Sequence, residues 1–81
     1  MNRYIATFFS HYGALTFFGA LKEQGVEAKL MPVPRKISAA CGTCVCYTAD
    51  AEIDLPAHEL EAVYIETPAG SYEKITDTAT V

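Results

Sequence analysis

Polar and apolar residues follow a strand-like pattern in four stretches of the chain. The first stretch is almost continuously apolar and rich in aromatic and β-branched residues, which predicts a central strand buried on at least one face. The next two alternate between polar and apolar residues, as half-buried strands do, and the last has the composition of a strand. The predicted strands are residues 3–9, 26–31, 43–48 and 71–76.

The alternation in residues 43–48 also assigns the side chains of that strand to faces. Successive side chains of a strand point to opposite sides of the sheet. Val45 and Tyr47 therefore share one face, and Cys44 and Cys46 share the other. The pattern predicts that these two thiols lie on the same face of the sheet.

The segment between the first two predicted strands has apolar residues at helical spacing. Ser10 can cap a helix, and Gly25 can end one because glycine adopts left-handed dihedral angles at little cost. These signals predict a helix over residues 11–24 that packs one stripe on the sheet. The stripe consists of Ala14, Phe17, Phe18 and Leu21.

A second helix is predicted between Asp54, a capping residue, and Thr67, which precedes a proline. Apolar residues recur within it at helical spacing, although residues 63–67 also have the composition of a strand. With the second helix, the order of elements is βαββαβ. That order predicts an α+β ferredoxin-like sandwich, with a four-stranded antiparallel sheet and two helices on one face.

The size, composition and charge of the chain limit the classes of function that we expect. Its 81 residues, 51% hydrophobic and 20% charged, predict one domain over residues 1–81. We find no apolar run near the ~20 residues of a membrane span and no secretory signal, and so expect a cytoplasmic protein without a membrane partner. The net charge is −4, with cations concentrated in residues 1–49 and acids in residues 50–81. An acidic chain without a basic stripe is not expected to bind nucleic acid.

All three cysteines lie within residues 32–46. A thiol reacts as its thiolate, and nearby cations and backbone N–H groups lower the pKa of a thiol. Small residues and two cations surround Cys41, so we predict that Cys41 is a reactive thiol beside a small anion site. The residues expected to stabilise the anion are Arg35, Lys36, Ser38 and Gly42.

The residues before Cys41 predict a local structure that favours its ionisation. Ser38 is a capping residue, and small residues follow it. A short helical turn over residues 39–41 would bring the positive end of a helix dipole close to the Cys41 sulfur. Ile37 is expected to anchor this loop in the core.

Three other interpretations of the cysteines stay open. Cys41 and Cys44 form a C-x-x-C motif, which predicts thiol–disulfide exchange with Cys44 as the resolving thiol. Three cysteines with His11 or His58 could bind zinc, but strong zinc signatures contain two ligand pairs, so we predict no metal site and no cofactor. The third interpretation is a small interaction domain with inert buried thiols, and burial is the role expected of Cys46.

The segment around Cys41 resembles the signature of a known family. The matching run is Pro32-x-Pro34-Arg35-x-Ile37-Ser38-x-x-Cys41-Gly42. The first strand with its following serine and helix, the Gly25-Val26 step and the closing Tyr72-Glu73-x-Ile75 are also similar to the family. The family is that of the selenium/sulfur carrier-like proteins.

The resemblance implies a carrier or adaptor rather than an enzyme with its own turnover. Cys41 would accept sulfur or selenium from a donor protein as a persulfide or selenosulfide, and pass it to an acceptor protein. Family members have hydrophobic residues where this chain has Cys44 and Cys46, so a role for Cys44 in resolving the persulfide stays open. The choice between sulfur and selenium and the formation of a homodimer stay open as well.

Overall fold

Five strands and one helix form the secondary structure of the part of the chain that the structure describes. This computed structural model describes residues 2–37, 39–50 and 59–77, with the backbone alone for residues 76 and 77. The elements in chain order are β1 (Asn2–Phe8), α1 (His11–Glu23), β2 (Ala28–Pro32), β3 (Thr43–Ala49), β4 (Leu60–Glu66) and β5 (Tyr72–Asp77). The strands form one antiparallel sheet in the order β2-β3-β1-β4-β5.

The predicted ferredoxin-like sandwich of four strands and two helices is wrong. Residues 60–66, expected in the second helix, form β4 and pair with β1 on one side and β5 on the other. The β-branched and aromatic residues Val63, Tyr64 and Ile65 favour the strand, which is the alternative that the composition of residues 63–67 had left open. Residues 51–58, which would begin the predicted helix, lie outside the described residues. The architecture is an α+β arrangement, with one described helix on an antiparallel sheet.

The first strand lies at the centre of the sheet, as its continuous apolar run predicted. Its residues from Tyr4 to Phe8 are all buried. Tyr4, Ala6 and Phe8 belong to the core on the helix side of the sheet, whereas Ile5 belongs to a separate cluster on the other side. Both faces of the sheet are therefore covered at β1.

Capping residues determine where the helix begins and ends, as predicted. The Ser10 hydroxyl accepts the N–H of Gly13 at 3.1 Å, which satisfies one of the free donors of the first turn. Gly25 follows the helix with a φ of 76°, a conformation that residues with a Cβ rarely adopt. The N–H of Val26 then donates to the carbonyl of Leu21 at 3.0 Å, which closes the last turn.

Aromatic side chains pack the helix on one face of the sheet. The ring of Phe17 lies 5.4 Å from that of Phe8 and 5.7 Å from that of Tyr47, measured between centroids. Tyr47 also stacks on Tyr4 at 5.3 Å. Edge-to-face and offset contacts at these distances stabilise a core beyond the burial of area alone. This helix-side core leaves the opposite face of the sheet to be covered by other residues.

Candidate functional site

The connection between β2 and β3 covers the sheet face opposite the helix, which we call the second face. This connection, residues 33–42, is the cysteine loop. Its two ends are joined by the N–H of Val33, which donates to the carbonyl of Gly42 at 3.0 Å. Ile37 is 6% exposed and packs with Ile5, Cys44 and Cys46. The prediction that Ile37 anchors the loop in the core is confirmed.

Two hydrogen bonds fasten the cysteine loop to the far side of the sheet. The Lys36 ammonium group donates to the carbonyl of Gly70, between β4 and β5, at 3.0 Å. The N–H of Ala40 donates to a carboxylate oxygen of Glu61, in β4, at 3.1 Å. Glu61 is the extra residue of a β-bulge, because Thr7 pairs with Ala62 while the next residue of β1 pairs with Leu60.

The thiol of Cys41 is half-buried in the returning limb of the cysteine loop. The predicted helical turn over residues 39–41 is wrong, because these residues form bends without helical hydrogen bonding. Ser38, the expected cap and anion-binding residue, lies outside the described residues. The backbone N–H before Cys41 is not available to an anion, since it is bonded to Glu61.

Open space surrounds the position that a side chain would occupy at Gly42. A Cβ built on Gly42 would meet no atom within 4 Å, and its φ is outside the left-handed region. The fold therefore does not require a glycine at this position.

The two predicted cations of the site have different surroundings. Arg35 is exposed and makes no hydrogen bond or ion pair within the described ranges. Lys36 donates to the Gly70 carbonyl, beyond the end of β4, whereas the N–H of Ala40 donates to Glu61, near the start of β4. The two contacts are therefore separated by the length of this strand, about 20 Å. Of the two side chains, Lys36 is the one already engaged in a hydrogen bond.

Cys44 lies beneath the cysteine loop and is fully buried. Its thiol donates to the carbonyl of Pro32 at a sulfur–oxygen distance of 3.8 Å. Burial, with a smaller contribution from Cys46, raises the pKa of Cys44 from its ordinary value of 9.0 to about 11. Very little Cys44 thiolate is therefore present at neutral pH.

A family model described as "Putative Se/S carrier protein-like" matches residues 3–67. The chain belongs to this family. The matched region includes the helix, the cysteine loop and all three cysteines. No curated protein and no solved structure matches the chain. The family thus supports the general theme of sulfur or selenium carriage.

A zinc site would require several metal-ligating side chains close together in space. Among residues 2–37, 39–50 and 59–77, no group of three or more histidine, cysteine, aspartate and glutamate side chains is arranged to hold a metal ion. His11 is exposed at the start of the helix, and His58 lies outside the described residues. In the same ranges, no helix combines the length and apolar character needed to cross a bilayer.

One cationic thiol site was missed by reasoning from the sequence. The guanidinium group of Arg3, at the start of β1, donates to the sulfur of Cys46 at 3.8 Å. This contact, followed by the nearby Glu66 carboxylate, raises the pKa of Arg3 above its ordinary value. Arg3 and Cys46 are 43 residues apart, and their meeting depends on the pairing of β1 with β3.

Proposed function

We propose that this protein carries sulfane sulfur or selenium on Cys41 between a donor protein and an acceptor protein. The observation that carries the proposal is the exposure of the three thiols. Cys41 is half-buried on a loop, whereas Cys44 is fully buried and Cys46 is only 6% exposed. A protein donor must bring its own sulfur into contact with the accepting sulfur, so Cys41 is the thiol best placed for the transfer.

The cysteine loop is suited to such a contact because it holds Cys41 in a defined place. The Val33–Gly42 hydrogen bond closes the base of the loop, and the buried side chain of Ile37 fixes its middle. The Ala40–Glu61 hydrogen bond then ties the residue directly before Cys41 to the sheet. A fixed thiol reduces the entropy lost when two proteins align their reacting sulfurs.

The transfer conserves atoms and electrons without a cofactor. The Cys41 thiolate attacks the terminal sulfur of a donor persulfide, forming a new S–S bond while the bond within the donor breaks. The donor cysteine leaves as its thiolate, and Cys41 now bears the sulfane sulfur. A nucleophile of the acceptor then attacks the terminal atom and releases the Cys41 thiolate. Selenium follows the same steps with a selenosulfide in place of the persulfide.

We assign to Arg35 the role of stabilising the loaded form, in which Cys41 bears the sulfur or selenium atom. A persulfide or selenosulfide is anionic at its terminal atom, and a guanidinium group stabilises such an anion through charge-assisted hydrogen bonds. Arg35 lies in the same loop and has no other partner within the described ranges. Lys36, Ser38 and Gly42 stay predictions for this role.

The proposed mechanism does not use Cys44 as a resolving thiol. Resolution requires a Cys44 thiolate to attack the Cys41 sulfur, with release of sulfide and formation of a disulfide. Burial and the raised pKa of Cys44 both disfavour this attack at neutral pH. We therefore expect the loaded form to persist until an acceptor arrives.

The test is to load the reduced protein from a cysteine desulfurase charged with cysteine, or from the same class of donor charged with selenocysteine. Intact-mass measurement after alkylation, with fragmentation to locate the added atom, should find one sulfur or selenium on Cys41. Cys41→Ser should abolish loading, whereas the matched variant Cys46→Ser should keep it. Loading that persists in Cys41→Ser would refute the proposal, and a Cys41–Cys44 disulfide would favour the redox module.

A further inference from the structure

A second thiol site lies on the second face of the sheet, at its β2 edge. Cys46 and Lys29 are direct partners in the β2–β3 register, which places their side chains on the same face. Arg3 reaches the Cys46 sulfur from β1. The Cys46 side chain is thus adjacent to one cation on each neighbouring strand.

This thiol opens into a groove. A depression of about 450 Å³ is lined by Arg3, Glu27, Ala28, Lys29, Cys46 and Thr48. Cys46 is one of the lining residues and is only 6% exposed, whereas Arg3 and Lys29 are exposed. A depression of this volume is large enough to hold a small molecule beside Cys46.

The charges around the groove favour an anionic ligand. Arg3 and Lys29 contribute two cations, and Glu27 contributes one carboxylate on the rim. Glu66 lies 3.5 Å from the Arg3 guanidinium group, on the side away from the groove residues, and partly balances it. The cations of the lining outnumber its carboxylate by one, and cations beside a reacting group attract small anions and accelerate their encounter with it.

We propose that Cys46 forms mixed disulfides with low-molecular-weight disulfides that carry carboxylates, the class to which oxidised glutathione belongs. The carboxylates are bound by Arg3 and Lys29, and the reacting sulfur lies over Cys46. The Cys46 thiolate attacks one sulfur of the ligand, and the S–S bond of the ligand breaks. The second half of the ligand leaves as a thiolate, which takes up the proton that Cys46 lost to solvent.

This inference does not rest on the carrier function, because it concerns a different cysteine and a different class of reactant. Cys41 receives an atom from a protein in the carrier proposal, whereas Cys46 binds a small molecule in this one. The Cys41→Ser variant separates the two reactions. It should lose sulfur loading and keep the reaction at Cys46.

The experiment compares two aromatic disulfides of similar size in the Cys41→Ser background, in which Cys44 is buried. Dithiobis(nitrobenzoate) carries carboxylates, and dithiodipyridine is neutral. Fragmentation mass spectrometry should locate the mixed disulfide at Cys46. Arg3→Gln and Lys29→Gln should each lower the rate constant for the carboxylate reagent about tenfold, as expected for loss of one charge-assisted contact. Lys29→Gln should not change the rate with the neutral reagent by more than about twofold, whereas Arg3→Gln should slow that reagent as well, because Arg3 donates to the Cys46 sulfur.

Lys22→Gln is the matched control, because it removes the same charge from the helix side of the sheet. It should leave both rate constants unchanged. Circular dichroism checks that each variant is folded, and Lys29→Gln remains informative if Arg3→Gln is not. Equal losses with both reagents in Lys29→Gln, or no reaction at Cys46, would overturn the proposal. With oxidised glutathione, wild-type protein should gain one mixed disulfide at Cys46 that Cys46→Ser lacks.

Discussion

Lys36 and Gly70 are joined across the second face of the sheet, with 3.0 Å between the ammonium nitrogen and the carbonyl oxygen. The two residues are 34 positions apart in the chain, one in the cysteine loop and the other between β4 and β5. Their hydrogen bond ties the loop that bears Cys41 to the opposite half of the sheet. The cation that the sequence assigned to an anion site therefore has a structural contact in the folded protein.

We expect Lys36→Gln to loosen the cysteine loop without unfolding the protein. The side chain is exposed, so the loss of its hydrogen bond should cost about 0.5–1 kcal/mol of unfolding free energy. Amide exchange in the loop should quicken, most clearly at Val33 and Ile37, whose N–H groups donate within the loop. Lys22→Gln, which removes a lysine from the helix, should not change exchange in the loop. Unchanged loop exchange in Lys36→Gln would mean that the contact does not restrain the loop.

Ile37→Ala should destabilise the whole protein rather than the loop alone. Ile37 is 6% exposed and packs against Ile5, so its truncation leaves a cavity over the second face. Such a change costs about 2–4 kcal/mol, measurable by urea denaturation. Leu15→Ala is the control, because Leu15 is 44% exposed on the helix and should cost less than about 1 kcal/mol. Equal costs at the two positions would contradict the packing described.

Gly42→Ala should slow the loading of sulfur without changing the stability of the protein. The added methyl group meets no neighbouring atom and creates no backbone strain, so the urea midpoint should change little. The same methyl group adds bulk at the residue that follows Cys41, where the prediction places the anion site, and loading with sulfur should therefore slow about tenfold if one well-placed contact is lost. Gly19→Ala, in the helix, also meets open space and should leave loading unchanged. Normal loading of Gly42→Ala would count against an anion site at Gly42.

The raised pKa of Cys44 predicts a loss of stability at high pH. The unfolded chain ionises this thiol near its ordinary pKa of 9.0, whereas the folded protein holds the proton until about pH 11. Above pH 9 the unfolded state binds fewer protons than the folded state, so the unfolding free energy falls as pH rises. The contribution is complete below pH 9 and decreases by the order of 2 kcal/mol by about pH 11.

Substitution of Cys44 isolates its contribution from those of other groups that titrate at high pH. Cys44→Val keeps an apolar side chain at a fully buried position and removes the ionisable group. The difference in unfolding free energy between wild type and Cys44→Val should change steadily from pH 9 to pH 11, and urea denaturation at several pH values measures it. A difference that stays constant over this range would argue against a perturbed Cys44 pKa.

Local signals in the sequence determined much of the helix and of β3. Ser10 and Gly25 mark the ends of the helix because their effects act within a few residues, through a side-chain cap and a left-handed backbone. The alternation in residues 43–48 placed Cys44 and Cys46 on the face opposite Val45 and Tyr47, because a strand of period two allows no other arrangement. These features need no knowledge of which strands pair.

The same local signals could not decide the conformation of residues 60–66. Leu60, Val63 and Tyr64 fit one stripe of a helix, and they also fit a strand with residues on both faces. Hydrogen bonds to β1 and β5 stabilise the strand over the helix, and β1 lies more than 50 residues earlier in the chain. Pairing over such a distance leaves no periodic trace in either segment.

The candidate sites also combine features that follow from the sequence with features that depend on the tertiary structure. The sequence by itself determined that Cys41 lies in a segment with small residues and cations, because these are neighbours along the chain. Only the tertiary structure decided that Lys36 is bound at Gly70, that Cys44 is buried beneath Ile37, and that Cys46 meets Arg3. Exposure and pKa depend on atoms brought together from distant strands, and those atoms are neighbours only after the sheet has formed.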